Sequence, residues 1–343
     1  MLLSPATTLP LITYGAIMQE DLQPIDWLVQ DLFAHGDRVI VYGEPGSYKS
    51  WLLLHLALHI AAGKKWLEEL SVPQATGVLY VDEEMSARLL RRRIKRLGLG
   101  ANLEDMGLPF QALSQRGIKL DEHGAERLLS VLEENAFSPE VIIIETMRRV
   151  LIGSELSAED VGKFWQNLQP LRQAGKTVIV SHHMRKPSPH GGNDTRYRAS
   201  GSTDILGGAD TVFSITSRAR NTLEVKCEKS RNAEEPPIFQ VSLHDQGHES
   251  PLAMQFEGYL GIASATPGET GEAVRLIVEY LAQAHDWTAM TSELKAHVIA
   301  QGGAERTYER AWAQVRDRNM VASLTYRKWQ LREQYRRPIA MAP

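Results

Sequence analysis

The 343-residue sequence predicts an α/β protein: a mostly parallel, twisted sheet flanked by helices, followed by a small C-terminal domain. Three observations predict it. Apolar runs at 38–42, 78–82, 141–145 and 177–181 each follow a helical pattern, and continuous β-branched runs of that length read as buried parallel strands. The loop Gly43-Glu44-Pro45-Gly46-Ser47-Tyr48-Lys49-Ser50 leaves the first run directly and opens a helix. The stretch 263–271, Ala-Ser-Ala-Thr-Pro-Gly-Glu-Thr-Gly, has the composition of a linker.

In chain order, residues 1–20 are loosely patterned and read as an N-terminal arm. Residues 21–262 form the α/β domain, and 263–271 the linker. Within the domain, runs at 211–216, 222–228 and 238–243 come without long helices between them, which predicts an antiparallel or mixed edge to the sheet. The loop 184–203, rich in Gly, Ser, Pro and basic residues, is the longest stretch without apolar periodicity. Residues 272–337 are the second domain, with helices over 271–284, 291–300 and 304–318, then a hairpin over Val321–Trp329. That order is the order of a winged helix.

Composition bounds the function. Hydrophobic content of 43% supports a core. A formal net charge of −4 argues against a chain that coats nucleic acid everywhere, and leaves room for a local basic surface. The single cysteine, Cys227, excludes an intrachain disulfide and fits a reducing, cytoplasmic setting. No apolar run is long enough to span a membrane, and the start lacks a basic region.

The loop fits the phosphate-binding pattern at every place but one, Tyr48, where glycine is usual. Its backbone N–H groups and the helix N-terminus suit the phosphates of ATP. Lys49 is expected to reach the β- and γ-phosphates, and Ser50 to ligate Mg²⁺. Ligands of parallel sheets bind beyond the carboxyl ends of strands, and two runs end there in acids: Asp82-Glu83-Glu84 and Glu145. Glu145 is expected on the magnesium side, its extra methylene requiring a small shift or a bridging water. Glu84 or Glu83 is the candidate base. Ser181-His182-His183 ends a further run at the same edge. Adjacent histidines on an extended segment point to opposite faces, which disfavours a shared metal ion. A polar residue there can sense the γ-phosphate.

Together these residues resemble the RecA-fold ATPases of the hexameric replicative helicase kind, above all the plasmid RepA helicases and their AAA-type relatives, with a weaker likeness to DnaB. The likeness spans roughly 24–245. It rests on Pro24-Ile25-Asp26-Trp27-Leu28-Val29, the loop from Gly43, Val81-Asp82-Glu83-Glu84-Met85, Glu145-Thr146-Met147-Arg148-Arg149, His182-His183 and Lys229-Ser230-Arg231-Asn232. The resemblance implies a RecA-like nucleotide hydrolase core, with Glu84 rather than Glu83 as the catalytic glutamate. It implies that His182 belongs to the hydrolysis site. It also implies that Lys229 and Arg231 act as fingers on a neighbouring subunit's γ-phosphate. Tyr48 and Glu145 depart from the family pattern.

In such rings, loops from each subunit hold a single DNA strand in the channel. The candidates are Arg148 and Arg149, and in the later loop Arg185, Lys186, Arg196 and Arg198, with Tyr197 the one aromatic and Gly191, Gly192 and Gly201 for flexibility. The arginine-rich helix at 86–97 carries charge on more than one face and reads as solvated or subunit-contacting. From 306 to 337, nine Arg/Lys stand against three acids, a local balance of +6 that fits phosphate contact by the C-terminal domain, on duplex DNA; protein docking is the alternative. The expected activity is an ATP-dependent DNA helicase or translocase, a homo-hexamer or other ring, serving replication of a plasmid, phage or other mobile element. A non-unwinding DNA-binding regulator and a recombinase-like filament are the alternatives.

Overall fold

A computed structural model describes residues 12–21, 23–103, 107–183, 204–219, 221–247, 249–259, 269–317, 320–325 and 327–332. The elements run α1 (Tyr14–Ile17), β1 (Trp27–Val29), β2 (Phe33–Ala34), β3 (Arg38–Gly43), α2 (Lys49–Ala62), β4 (Val78–Asp82), α3 (Ala87–Gly100), β5 (Phe110–Ser114), α4 (Gly124–Glu134) and β6 (Val141–Glu145). They continue α5 (Met147–Val150), α6 (Ala158–Asn167), α7 (Gln169–Gln173), β7 (Thr177–His183), α8 (Asp204–Gly208), β8 (Thr211–Ala219), β9 (Thr222–Lys229), β10 (Phe239–Asp245) and β11 (Leu252–Tyr259). The chain closes with α9 (Glu269–Gln283), β12 (Thr288–Met290), α10 (Thr291–Ala300), α11 (Glu305–Asp317), β13 (Val321–Thr325) and β14 (Lys328–Leu331).

The main sheet has nine strands in the order β11-β10-β9-β8-β3-β7-β6-β4-β5. From β8 to β5 all neighbours are parallel, and β9, β10 and β11 add an antiparallel flank. This is an α/β, RecA-like core with a large, mostly parallel sheet flanked by helices. The central strands are buried on both faces because their residues alternate between two cores. Val39, Val41, Val78, Tyr80 and Ile143 enter the core under α2 and α3. Ile40, Tyr42, Leu79, Val81 and Ile144 enter the core under α4, α6 and α7. Fully burying each such side chain contributes about 1.5–3 kcal/mol before conformational entropy is subtracted.

Local signals set the helices. Ser86 and Ser157 cap α3 and α6, each side-chain oxygen accepting an N–H three residues on. Gly100 lets α3 cross β11, because a Cβ there would stand 2.0 Å from the Leu252 carbonyl oxygen. The arginine-rich α3 divides its charge: Arg88, Arg91, Arg92 and Lys95 are exposed. Arg93 and Arg96 turn inward over the Trp51 ring, at 4.6 and 5.5 Å. Arg96 is buried and donates to Asp245 at 2.5 Å and to the carbonyls of Ser250 and Gly247, both at 2.8 Å.

The last elements share a third core, with Ile277, Leu281, Leu294, Val298, Trp312, Val315 and Leu331 at its centre. The sequence reading of this segment missed β12, which pairs with β14 and makes the expected hairpin a three-stranded sheet. Helix α9 begins at Glu269, inside the stretch expected as linker. Arg332 forms an ion pair with Glu234 across the two parts of the chain.

Some expected features lie outside the described residues: the arm before Ile12, most of the linker, and the channel-loop residues Arg185, Lys186, Gly191, Gly192, Arg196, Tyr197, Arg198 and Gly201. Arg318, Glu333, Arg336 and Arg337 of the basic C-terminal count do so too. Among the described residues no helix is long and apolar enough to cross a membrane.

Candidate nucleotide site

Strand β3 delivers Gly43 to the carboxyl edge of the sheet, and the loop turns from there into α2. Gly43 has no room for a side chain: a Cβ would lie 2.7 Å from the Ile215 carbonyl oxygen and 2.8 Å from Ser47 Oγ. Gly46 adopts φ +80°, which only glycine takes without strain. Tyr48 also lies in the left-handed region, at φ 58° and ψ 15°. That explains why glycine is the usual residue there, since a side chain costs roughly 1–2 kcal/mol in this conformation. The ring does not obstruct the loop. It packs against the core beside α2, and its hydroxyl donates to Asn221 Oδ1 at 3.1 Å.

Lys49 and Ser50 open α2, so their backbone N–H groups belong to the helix end that lacks intrahelical acceptors. Lys49 is 5% exposed, with no side-chain partner among the described residues. Ser50 Oγ donates to Glu145 Oε1 at 3.0 Å, so the acid reaches the end of the loop directly. Glu145 is 1% exposed and accepts two more bonds, from Ser181 Oγ at 2.8 Å and from the Tyr80 hydroxyl at 3.1 Å. Burial, reinforced by Glu145 and Asp82, pushes the Tyr80 phenol well above its ordinary value and keeps it a donor.

The acids after β4 separate by partner. Asp82 is fully buried; its Oδ1 accepts the N–H groups of Glu84 and Met85 at 2.8 and 2.7 Å, and burial pushes its carboxyl up to about 6. Its Oδ2 has no hydrogen-bond partner among the described residues. Glu83 points into the next loop and accepts the backbone N–H groups of Arg116, Gly117 and Ile118 at 2.9–3.1 Å. The Glu84 side chain turns away from that loop, although its backbone carbonyl accepts from Gln115 Nε2 at 3.1 Å. Thr146 Oγ1 donates to it at 3.3 Å, and His183 Nε2 and Arg149 Nε lie 3.6 and 3.7 Å away. His183 holds the Glu84 carboxyl below the usual glutamate range, and Thr146 and Arg149 add to that.

The two histidines of β7 face opposite ways, as extended backbone requires. His183 meets Glu84, while His182 is fully buried on the other face, 4.0 Å from Glu155. The sequence reading placed His182 in the site; the structure brings His183 there instead.

Lys229 and Arg231 sit at the other edge. Lys229 Nζ donates to the carbonyls of Leu206, Gly207 and Ala209 at 3.1, 3.2 and 2.6 Å, which closes the carboxyl end of α8. Arg231 donates to Asp210 at 2.7 Å, and Asp210 is held in turn by the Arg38 guanidinium at 3.1 Å. Arg38 begins β3 and Gly43 ends it, a separation of about 17 Å at 3.3 Å per residue. Arg231 therefore cannot reach the loop of its own chain.

The residues at the carboxyl edge fit a magnesium nucleotide. The donors are hard oxygens, one hydroxyl and one carboxylate already in contact, and Mg²⁺ takes one or two such protein oxygens with water and phosphate. The orphaned Asp82 oxygen suits a water of that shell. Tyr80 and Asn221 escaped the sequence reading, and Asp82 and Ser181 were placed at this edge without a role of their own, because their partners are strand neighbours that no motif spells out.

The model of the family described as an AAA domain matches residues 5–189. Similar solved structures include the flagellar accessory protein FlaH from Methanocaldococcus jannaschii, 17% identical with a TM-score of 0.42, covering 64% of this chain and 90% of that one. The KaiC-like protein from Pyrococcus horikoshii is 17% identical with a TM-score of 0.43, covering 67% and 94%. The RadB recombinase is 18% identical with a TM-score of 0.41, covering 64% and 91%. No curated protein matches the sequence.

Proposed function

The chain belongs to the AAA domain family, and from that premise we propose that this RecA-like ATPase is a DNA helicase or translocase that works as a ring on single-stranded DNA. The carrying observation is the split of its machinery between the two edges of one sheet. The phosphate loop, Ser50, Glu145 and Glu84 stand at the carboxyl edge, and Arg231 at the amino edge. If Arg231 serves such a site, it serves that of a neighbouring subunit, because it cannot reach the loop of its own chain.

In the proposed reaction, the loop N–H groups and Lys49 would hold the phosphates of ATP, and Ser50 and Glu145 would hold Mg²⁺, which would supply charge neutralisation there. Glu84, kept ionised by His183, orients the attacking water and accepts its proton. Thr146 and Arg149 fix the carboxylate. Arg231 of the next subunit stabilises the transferring group. Arg149 follows Glu145 on α5 and faces Glu84. It thus connects the hydrolysis site to a loop proposed to grip DNA. The C-terminal segment, read as a winged helix, presents Arg306, Arg310 and Arg316 on the exposed face of α11, and suits duplex DNA.

An unwinding assay on a forked duplex, with and without ATP, tests the proposal. Wild-type protein separates the strands only with ATP, and Lys49→Ala abolishes separation. Unwinding by Lys49→Ala at the wild-type rate refutes the mechanism. DNA-stimulated hydrolysis without unwinding leaves the ATPase and favours a regulator.

A further inference from the structure

Ser50 of the phosphate loop is tied to Glu145 on β6, and Tyr48 is tied on the other side to the β8–β9 turn. Three facts meet there. Tyr48 occupies the last position before Lys49 in a conformation that side chains avoid, φ 58°. Its hydroxyl donates to Asn221 Oδ1 at 3.1 Å, across 173 residues of sequence. Asn221 is itself left-handed, at φ 64°, a conformation that asparagine tolerates better than most residues. Strand β8 runs parallel to β3, with Gly43 opposite Ile215, so the turn that follows β8 lies at the same edge as the loop.

A glycine in the Tyr48 position reaches the left-handed conformation freely but leaves it as freely. Tyrosine pays a steric cost to be there and needs something to hold it. The ring, partly buried against the core that α2 and β9 share, supplies part of that hold. The bond to Asn221 supplies the direction. We infer that Asn221 is a positioning residue for the phosphate loop. Through Tyr48 it keeps the loop in its binding conformation before the nucleotide arrives, taking over by attachment what glycine does by freedom. The inference rests on the loop being an ATP site, as proposed above. It adds that in this chain the loop's affinity depends on a residue outside every nucleotide motif.

The physical consequence is pre-organisation. Losing one neutral hydrogen bond that is made in the free protein lets the loop leave its binding shape, and nucleotide binding must then restore it. The expected weakening is about three- to tenfold in the KM for ATP, with a smaller change in kcat because neither side-chain group touches the reacting atoms.

The test is steady-state ATP hydrolysis by the full chain, with fluorescent ATP-analogue binding and thermal melting in parallel. Asn221→Gly keeps the backbone conformation and removes the acceptor; Tyr48→Phe keeps the ring and removes the donor. Each raises the KM by the stated factor, and the double variant is no worse than either single. Asn221→Asp retains an acceptor oxygen and restores the KM. A merely structural bond lowers the melting temperature of Asn221→Gly while its KM stays at the wild-type value, and that result overturns the inference. Additive effects in the double variant overturn it too. If wild-type protein binds no ATP analogue, the nucleotide-site reading falls together with this one. If wild type binds and Asn221→Gly binds equally well, only this one falls.

Discussion

Glu83 and Glu84 are adjacent acids at one strand end, and exchanging each for glutamine separates a brace from a base. Glu83 accepts three backbone N–H groups from residues 116–118 through both of its oxygens. Glutamine has one carbonyl oxygen and an amide that donates, so Glu83→Gln breaks either the Gly117 bond or the two to Arg116 and Ile118. Bonds to a charged acceptor contribute roughly 1.5–3 kcal/mol each, and the exposure of this loop reduces that. The expected loss is about 1–3 kcal/mol of stability, with turnover within about threefold of wild type. Glu84→Gln keeps the shape, cannot take a proton, and is expected to lower kcat by about 10²–10⁴. Its stability changes by less than about 1 kcal/mol, because its one permanently charged neighbour among the described residues, Arg149, is largely exposed. Phosphate release and urea denaturation on both variants decide the matter. A folded Glu83→Gln protein without turnover, beside an active Glu84→Gln protein, refutes the assignment.

Two further outcomes follow from the geometry. Mixing Lys49→Ala with Arg231→Ala protein, each inactive alone, is expected to restore about a quarter of wild-type ATPase activity, the share of interfaces pairing a sound loop with a sound arginine. Strictly additive inactivity on mixing refutes action in trans. The α2 histidines predict an acid-sensitive core: the His55 and His59 rings meet with centroids 4.0 Å apart, tilted by 36°, and burial holds both below the ordinary imidazole value, His55 well below. Lys64 lowers His59 further and Glu68 opposes it. With folded values depressed, the unfolded chain binds more protons below about pH 6.5, so stability is full above that pH and is lost as pH falls, by up to about 1.4 kcal/mol per unit per imidazole. Urea midpoints at pH 7.5 and 5 measure the loss, and His55→Phe flattens it. Equal midpoints in wild type contradict the argument.

How much of this was readable depends on where a residue's partners lie. Strands β3, β4, β6 and β7 announce themselves because burial on both faces demands an unbroken apolar run. Strands β5 and β11 do not: they close the two edges of the sheet, and half of each, such as Gln111 and Gln255, faces water. Lys49, Ser50 and Glu145 were legible because spacing along one chain segment fixes them. Tyr80 and Ser181 were not, because they meet Glu145 only once β4, β6 and β7 are laid side by side in that order. The choice between His182 and His183 is a matter of strand phase. The pattern shows that they diverge, and only the packed sheet shows which one meets Glu84.

Strand β9 would give the proposed split site its mechanical sense. Its first residue, Thr222, follows Asn221 at the carboxyl edge, where Asn221 holds the chain's own phosphate loop. Its last, Lys229, lies opposite Val212 at the amino edge, two residues before Arg231. A paired strand transmits displacement along its length better than a loop does, because moving one end strains a ladder of hydrogen bonds. Lys229 then has a use that does not require it to reach phosphate. With two α8 carbonyls and that of Ala209 on its amine, it fastens the end of β9 to the helix that follows the loop 184–203, the segment proposed to hold DNA. If Lys229 works this way, Arg231 is the finger and Lys229 is its mounting. The resemblance treats the two as equals; their hydrogen bonds do not. Arg231 shares its carboxylate with Arg38, which alone can neutralise it, so Arg231 can leave at small cost. Lys229 would leave the carbonyls of Leu206, Gly207 and Ala209 open, a loss that repeats at every turnover unless α8 moves with it.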